Sequence, residues 1–156
     1  MSAEHQVARK IADDGEQYLR LSVGGTEFLL PSGASIAVEP REQLTAETGH
    51  RYIVAWRAVL SDRWPVFHLE GDLSTRSERP WAKAVFIDAK PFPVGFTTED
   101  ILLLPRDLRV EPFTPLGRLP TAAGPVFSGA VVRGEEVQLL LDPLALAAYL
   151  QYLGAQ

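Results

Sequence analysis

From residue 16 onward the apolar positions fall in short runs separated by glycine, proline and small polar residues, a texture of strands and turns. Tyr18, Leu19, Leu21 and Val23 lead into Gly24-Gly25, and Phe28, Leu29 and Leu30 follow. Two glycines between such runs predict a β-hairpin closed by a primed turn. Pro31-Ser32-Gly33-Ala34 ends the second strand, and Ile36-Ala37-Val38-Glu39-Pro40 is a short apolar segment stopped by its own proline. Residues 41–49 read as polar loop. Residues 52–60 and 64–69, rich in β-branched and aromatic side chains, predict a second hairpin that turns at Ser61-Asp62-Arg63. After a loop over 70–80, residues 81–87, 94–97, 100–104 and 108–113 are further strand candidates. Pro91, Pro93, Pro105, Pro112 and Pro115 hold these to short lengths or sheet edges. A loop through Pro120 and Gly124-Pro125 precedes a third hairpin, 126–133 and 136–141, that turns at Gly134-Glu135.

One segment has helical periodicity. Leu146, Tyr149, Leu150 and Leu153 recur at i, i+3, i+4 and i+7, an apolar stripe suited to docking on a sheet. Asp142 is placed to cap this helix, Pro143 sits where a first-turn proline is tolerated, and Gly154 is placed to close it. Residues 1–15 read as a flexible polar arm with a short helical turn through Val7, Ala8 and Ile11. Roughly ten short strands and one helix make a mostly β protein of small barrels or a sandwich. A length of 156 residues allows one domain, or two very small ones sharing a core.

Composition narrows the function. Fifteen Lys and Arg against twenty Asp and Glu give a formal charge of −5, so no global field draws the chain to nucleic acid or to anionic lipid. The chain has no cysteine, which removes disulfides, thiolate metal sites and cysteine nucleophiles together. It has no asparagine and so no N-glycosylation sequon. No apolar run approaches the roughly 20 residues that span a bilayer. The N-terminus carries Glu4, Arg9, Lys10, Asp13 and Asp14 and does not resemble a signal peptide, so a cytoplasmic protein is expected.

Candidate chemistry is thin. Of the three histidines, His5 and His50 fall in predicted tail and loop, while His68 closes a strand between Phe67 and Leu69. A Ser61/His68/Asp72 triad can be drawn, but nucleophile and base would hang from one hairpin without a nucleophile elbow or an oxyanion glycine motif. No spacing of histidines or acids matches a metal site, and no cofactor is expected. Glu135-Glu136 and Asp13-Asp14 are explained as a solvated turn and tail. Gly24-Gly25 lacks the Lys-Ser/Thr and the helix of a phosphate loop. Arginines 57, 63, 106, 109, 118 and 133 are scattered among acids and form no stripe. Surface for partners is better represented. Trp56 and Trp64 flank one turn, Trp81 begins the next strand, and Trp64 beside Arg63 has the composition of an interface hot spot. Trp56 and Trp81 are as readily core. Ala148 and Tyr152 lie off the docking stripe of the helix and offer a second patch.

The order of these segments resembles the CheW-like family of chemotaxis coupling proteins over about residues 16–153. The opening Tyr18-Leu-Arg-Leu-Ser-Val-Gly-Gly-Thr-Glu-Phe-Leu-Leu is similar to the family's first hairpin, and Ile36-Ala37-Val38-Glu39 to its Val-x-Glu-Ile-like segment. Ala55 to Leu69 lies where the family has Gly-x-x-Asn-Leu-Arg-Gly-x-x-x-Pro-Val-x-Asp-Leu; Pro65, Val66 and Leu69 match, and Leu60, Ser61 and His68 depart from its Arg, Gly and Asp. Val94-Gly95-Phe96-Thr97-Thr98-Glu99-Asp100-Ile101 is similar to the family's Val-Gly-Leu-x-Val-Asp-Glu-Val. Phe127-Ser-Gly129 through Leu141-Asp142-Pro143 is similar to its close.

The resemblance implies a single domain over 16–154 made of two intertwined five-stranded SH3-like β-barrels with a C-terminal helix, and no catalysis. It also implies partners: the regulatory domain of a CheA-type histidine kinase and the cytoplasmic tip of a chemoreceptor. The residues expected to meet them are Ile36, Val38, Glu39, Arg57, Leu60, Arg63 and Trp64. Loss of the family arginine at Leu60 suggests a divergent member, serving a pilus or other chemosensory system, with Arg57 or Arg63 standing in. The competing readings are a small β-barrel hydrolase using Ser61 with His68, and a small-molecule sensing barrel.

Overall fold

Runs such as Phe28-Leu29-Leu30 and Ala84-Val85-Phe86-Ile87 are apolar on both faces of a strand, and such strands can be buried only between two layers. A computed structural model describes residues 17–75, 79–106, 108–112 and 126–156. The polar arm, the loop through Pro120 and Gly124-Pro125, and Phe113 with Pro115 lie outside the described residues. The strands are β1 (Tyr18–Val23), β2 (Thr26–Pro31), β3 (Ser35–Pro40), β4 (Thr45–Ala46), β5 (Ile53–Val59), β6 (Asp62–Phe67), β7 (Lys83–Ile87), β8 (Val94–Thr98), β9 (Asp100–Leu103), β10 (Glu111–Pro112), β11 (Phe127–Arg133) and β12 (Glu136–Leu141). They form two six-stranded sheets, ordered β10-β11-β12-β2-β1-β9 and β3-β7-β8-β6-β5-β4. The first sheet therefore takes both ends of the chain, and the second is the unbroken middle. Each contains one parallel pair, β12 with β2 and β6 with β8. The two-residue strands β4 and β10 extend the five-stranded barrels expected from sequence.

Turn chemistry sets the hairpins. Gly24 and Gly25 have φ of 56° and 84°, as a primed turn demands. A Cβ on Gly24 would also run into the backbone of Gly71. Both amides of this turn donate to the Glu99 carboxylate, at 3.0 Å from Gly24 and 2.8 Å from Gly25. The β5–β6 hairpin differs from expectation. Val59 pairs with Asp62, so the turn is Leu60-Ser61, one residue shorter and earlier, and Asp62 and Arg63 belong to β6. A two-residue turn needs positive φ, and Leu60 supplies it at 55°. The third hairpin turns at Gly134-Glu135 as expected, with Arg133 opposite Glu136. The polar loop after β3 holds a 3-10 turn at Arg41–Gln43 and the short β4.

The helix α1 (Pro143–Gly154) follows β12. Asp142 caps it, its Oδ1 accepting from the amides of Leu144 at 3.1 Å and Ala145 at 3.3 Å. Leu146, Ala147, Leu150 and Leu153 are buried. Gly154 does not end the helix through left-handed backbone; Ala155 follows in right-handed conformation, its amide bonded to the Gln151 carbonyl. Glycine is there for proximity instead, since a Cβ would lie 3.0 Å from Cζ of Phe67. The helix seals one large apolar cluster, with Leu21, Val23, Phe28 and Leu30 from the first sheet and Phe67, Val85, Ile87 and Phe96 from the second. Each sheet also curls around a smaller cluster: Leu29, Leu104, Val131 and Leu140 in the first, and Ala55, Val66, Ala84 and Phe86 in the second.

In the second barrel the Phe86 ring lies against Gly95, where an added Cβ would stand 2.7 Å from Cε1. Gly95→Ala is expected to lower stability by about 1–3 kcal/mol through overpacking; an unchanged urea midpoint would show that the ring has room to yield. Tyr149 on α1 donates to the Leu73 carbonyl at 3.1 Å. Its phenol is held above its ordinary value of 10.0, first by burial and then by the negative charge of Asp72 and of Tyr52. Because the folded value lies above the unfolded one, the stabilisation is complete below about pH 10 and is lost as pH rises through the folded value. Tyr149→Phe should cost about 1 kcal/mol near neutrality. Above pH 10 its stability should fall less steeply than the parent's, as read by parallel urea titrations.

Candidate functional site

The residues expected to meet partners all lie on the second barrel, on β3 and the β5–β6 hairpin. Strand β3 is an edge strand, paired only with β7, and its ladder shifts between Ser35 and Ala37. Ile36 and Val38 are 43% and 41% exposed, a small apolar pair along that edge. The bulge and Pro40 limit the open edge on which another strand could pair.

Glu39 does different work. Its Oε1 accepts from Arg57, at 3.1 Å from Nε and 3.0 Å from Nη2, with the two side chains 19% and 27% exposed. Strands β3 and β5 stand at opposite sides of the sheet order, so this pair bridges the seam of the curled sheet. The Arg57 guanidinium also lies over the rings of Trp64, at 4.9 Å, and Phe86, at 5.8 Å. Its charge is thus engaged inside the barrel. Trp64 is half-buried and tilts against Phe86 with centroids 5.7 Å apart. Arg63 is exposed and stacks over Trp56 at 4.3 Å. Leu60 is fully exposed at the tip of the hairpin.

Alternation along β5 and β6 explains which tryptophan faces where. Arg57 stands opposite Trp64 and points with it into the barrel, whereas Trp56 stands opposite Pro65 on the side of the shared core. There Trp56 helps line an apolar groove of about 340 Å³ with Ile53, Phe67, Phe92 and Gly154. The groove is the unfilled rim of the shared core, where the end of α1 meets the turn before β8. Sequence reading singled out Trp64 and passed over Phe92, whose neighbours come from segments far apart in the chain. Ala148 and Tyr152 on α1 are exposed as expected.

The hydrolase reading fails on distance. Ser61 sits in the exposed turn before β6 and His68 directly after it. Six extended residues between them span about 20 Å, far beyond hydrogen-bond reach. His68 is 2% exposed; its Nε2 lies 3.2 Å from the Arg79 carbonyl oxygen and its Nδ1 3.7 Å from Glu70. Asp72, the third member, accepts from the Ser74 amide at 2.9 Å. Among the described residues, no three metal-ligating side chains gather, and no helix is long and apolar enough to cross a membrane. The arrangement offers surfaces for binding: an apolar edge, an exposed leucine tip and a groove rimmed by Trp56.

No protein-family model matches the chain, and no curated protein sequence matches it. Among solved structures it is similar to the crystal structure of scaffolding protein TtCheW from Thermoanaerobacter tengcongensis, with a TM-score of 0.63 at 13% sequence identity, over 84% of this chain and 91% of that one. The fold is CheW-like. Within it, both six-stranded sheets and the C-terminal helix have their place, and the divergent sequence keeps the architecture through its pattern of apolar positions.

The seam of this CheW-like second barrel makes a prediction. A double-mutant cycle of Glu39→Gln and Arg57→Met should give a coupling of about 1–2 kcal/mol, since the pair is hydrogen-bonded and mostly screened from water. A coupling near zero in urea denaturation would mean that the stack on Trp64, and not the ion pair, holds the seam.

Proposed function

We propose that this protein is a non-enzymatic adaptor of bacterial chemotaxis-type signal transduction, working in the cytoplasm. In this reading it couples the cytoplasmic tip of a chemoreceptor, or of a receptor in a pilus or other chemosensory system, to the regulatory domain of a CheA-type histidine kinase. The observation that carries it is the CheW-like fold over 84% of the chain, shared with a protein described as a scaffold. The separation of Ser61 from His68 supports a binding role over a hydrolytic one.

Partner contact falls to the exposed members of the expected set. Ile36 and Val38 supply apolar contact on an edge strand, and Leu60 projects from a rigid two-residue turn. Arg63 presents its charge on the face of Trp56, a combination that desolvates at low cost. Glu39, Arg57 and Trp64 act behind this surface, holding the barrel that presents it.

Isothermal titration with the regulatory domain of the CheA-type kinase and with a receptor-tip fragment, both from the same genome, tests the reading. Binding of both at micromolar concentration is expected. Leu60→Asp should weaken one of the two by about tenfold or more without lowering the melting temperature, because the side chain touches nothing in the folded chain. No binding of either partner at about 100 μM would reject the adaptor role.

A further inference from the structure

Where β3 and β6 end and β5 and β7 begin, the second barrel opens into a cavity of about 440 Å³, lined by Arg41, His68, Arg79 and Trp81 with Leu44 and Ala55 as apolar wall. The charges in this mouth are unevenly committed. Arg79 pairs with Glu70 at 3.4 Å, and Glu47 accepts from Trp56 Nε1 at 2.9 Å. Arg41 has no carboxylate partner among the described residues. Its amide donates to the Ala82 carbonyl at 2.9 Å, which fixes the 3-10 turn against the start of β7, and its guanidinium lies 4.6 Å over the ring of Trp81. His68 in the same wall is 2% exposed; its Nε2 lies 3.2 Å from the Arg79 carbonyl oxygen, and its Nδ1, buried without a hydrogen bond, lies 3.7 Å from the Glu70 carboxylate. Buried polar atoms left without a partner are rare, and each one costs stability.

The geometry points to a binding site for a small planar monocarboxylate in the mouth of the second barrel. An arginine held over an indole keeps its N–H donors available at the mouth, where they suit the two oxygens of a carboxylate. The planar body of such a ligand finds the Trp81 ring and the apolar wall beside it. The volume lies at the small end of ligand pockets. One uncommitted positive charge with Glu47 in the same wall favours a monoanion over phosphate or a dicarboxylate. The adaptor reading does not depend on this site.

Benzoate, titrated into the full chain and followed by amide NMR shifts, is the probe. Saturable shifts clustered around Arg41 and Trp81 are expected, with neutral benzamide binding about tenfold more weakly or worse. Arg41→Gln should weaken benzoate by about tenfold while leaving the melting temperature unchanged, because this side chain is exposed. The inference is overturned if benzoate gives no saturable shift up to about 20 mM, if benzamide binds equally, if Arg41→Gln binds benzoate as the parent does, or if inorganic phosphate binds more tightly than benzoate.

Discussion

Neither sheet of this protein can bury its apolar residues alone, and everything else in the structure depends on how the two divide that burden. Alternation along each strand sends successive side chains to opposite faces. In β7, Ala84 and Phe86 enter the second barrel while Val85 and Ile87 enter the shared core. In β2, Leu29 enters the first barrel while Phe28 and Leu30 enter the shared core. A strand with one face in its own barrel and the other against its neighbour has no solvent side. The continuous apolar runs Phe28-Leu29-Leu30 and Ala84-Val85-Phe86-Ile87 are the sequence record of that arrangement. It also ties the stability of each barrel to the other, since removing either would expose half of the shared cluster to water.

That division explains what could be read from sequence. Hairpins marked by Gly24-Gly25 and Gly134 were legible because positive φ leaves a residue signature, and α1 was legible because Asp142, Pro143 and the Leu146–Leu153 spacing are local. Leu60 shows where local signals stop. Its positive φ belongs to a glycine-type position filled by leucine, so the turn read one residue too late. The roles of Trp56 and Trp64 were hidden for a related reason. Which side of a strand faces the barrel interior is decided by register and by how the sheet curls, and a one-residue shift exchanges the faces. The seam pair of Glu39 and Arg57 is a contact between the two sides of a sheet, and no spacing in the chain announces it.

The same physics keeps Ser61 and His68 apart. A barrel strand holds its ends far apart, so Ser61 and His68 are fixed on opposite ends of β6 by the element that links them in sequence. The polar groups that do converge are engaged in structure: Glu99 on the Gly24-Gly25 turn, Arg57 on Glu39, and Tyr149 on the Leu73 carbonyl. What the fold leaves open lies at margins, where strands end and packing stops. The Trp56 groove is the rim of the shared core, and the Arg41–Trp81 mouth is the open end of the second barrel.

These two margins are connected through Glu47 and Trp56. Glu47 lines the mouth, and its carboxylate accepts from the indole of Trp56, whose ring lines the groove. A monoanion seated beside Arg41 adds negative charge close to that carboxylate, and the strength of the Glu47–Trp56 hydrogen bond depends on the local field. The indole of Trp56 therefore stands between the open end of the second barrel and the rim of the shared core, tied to the first through Glu47 and lining the second itself.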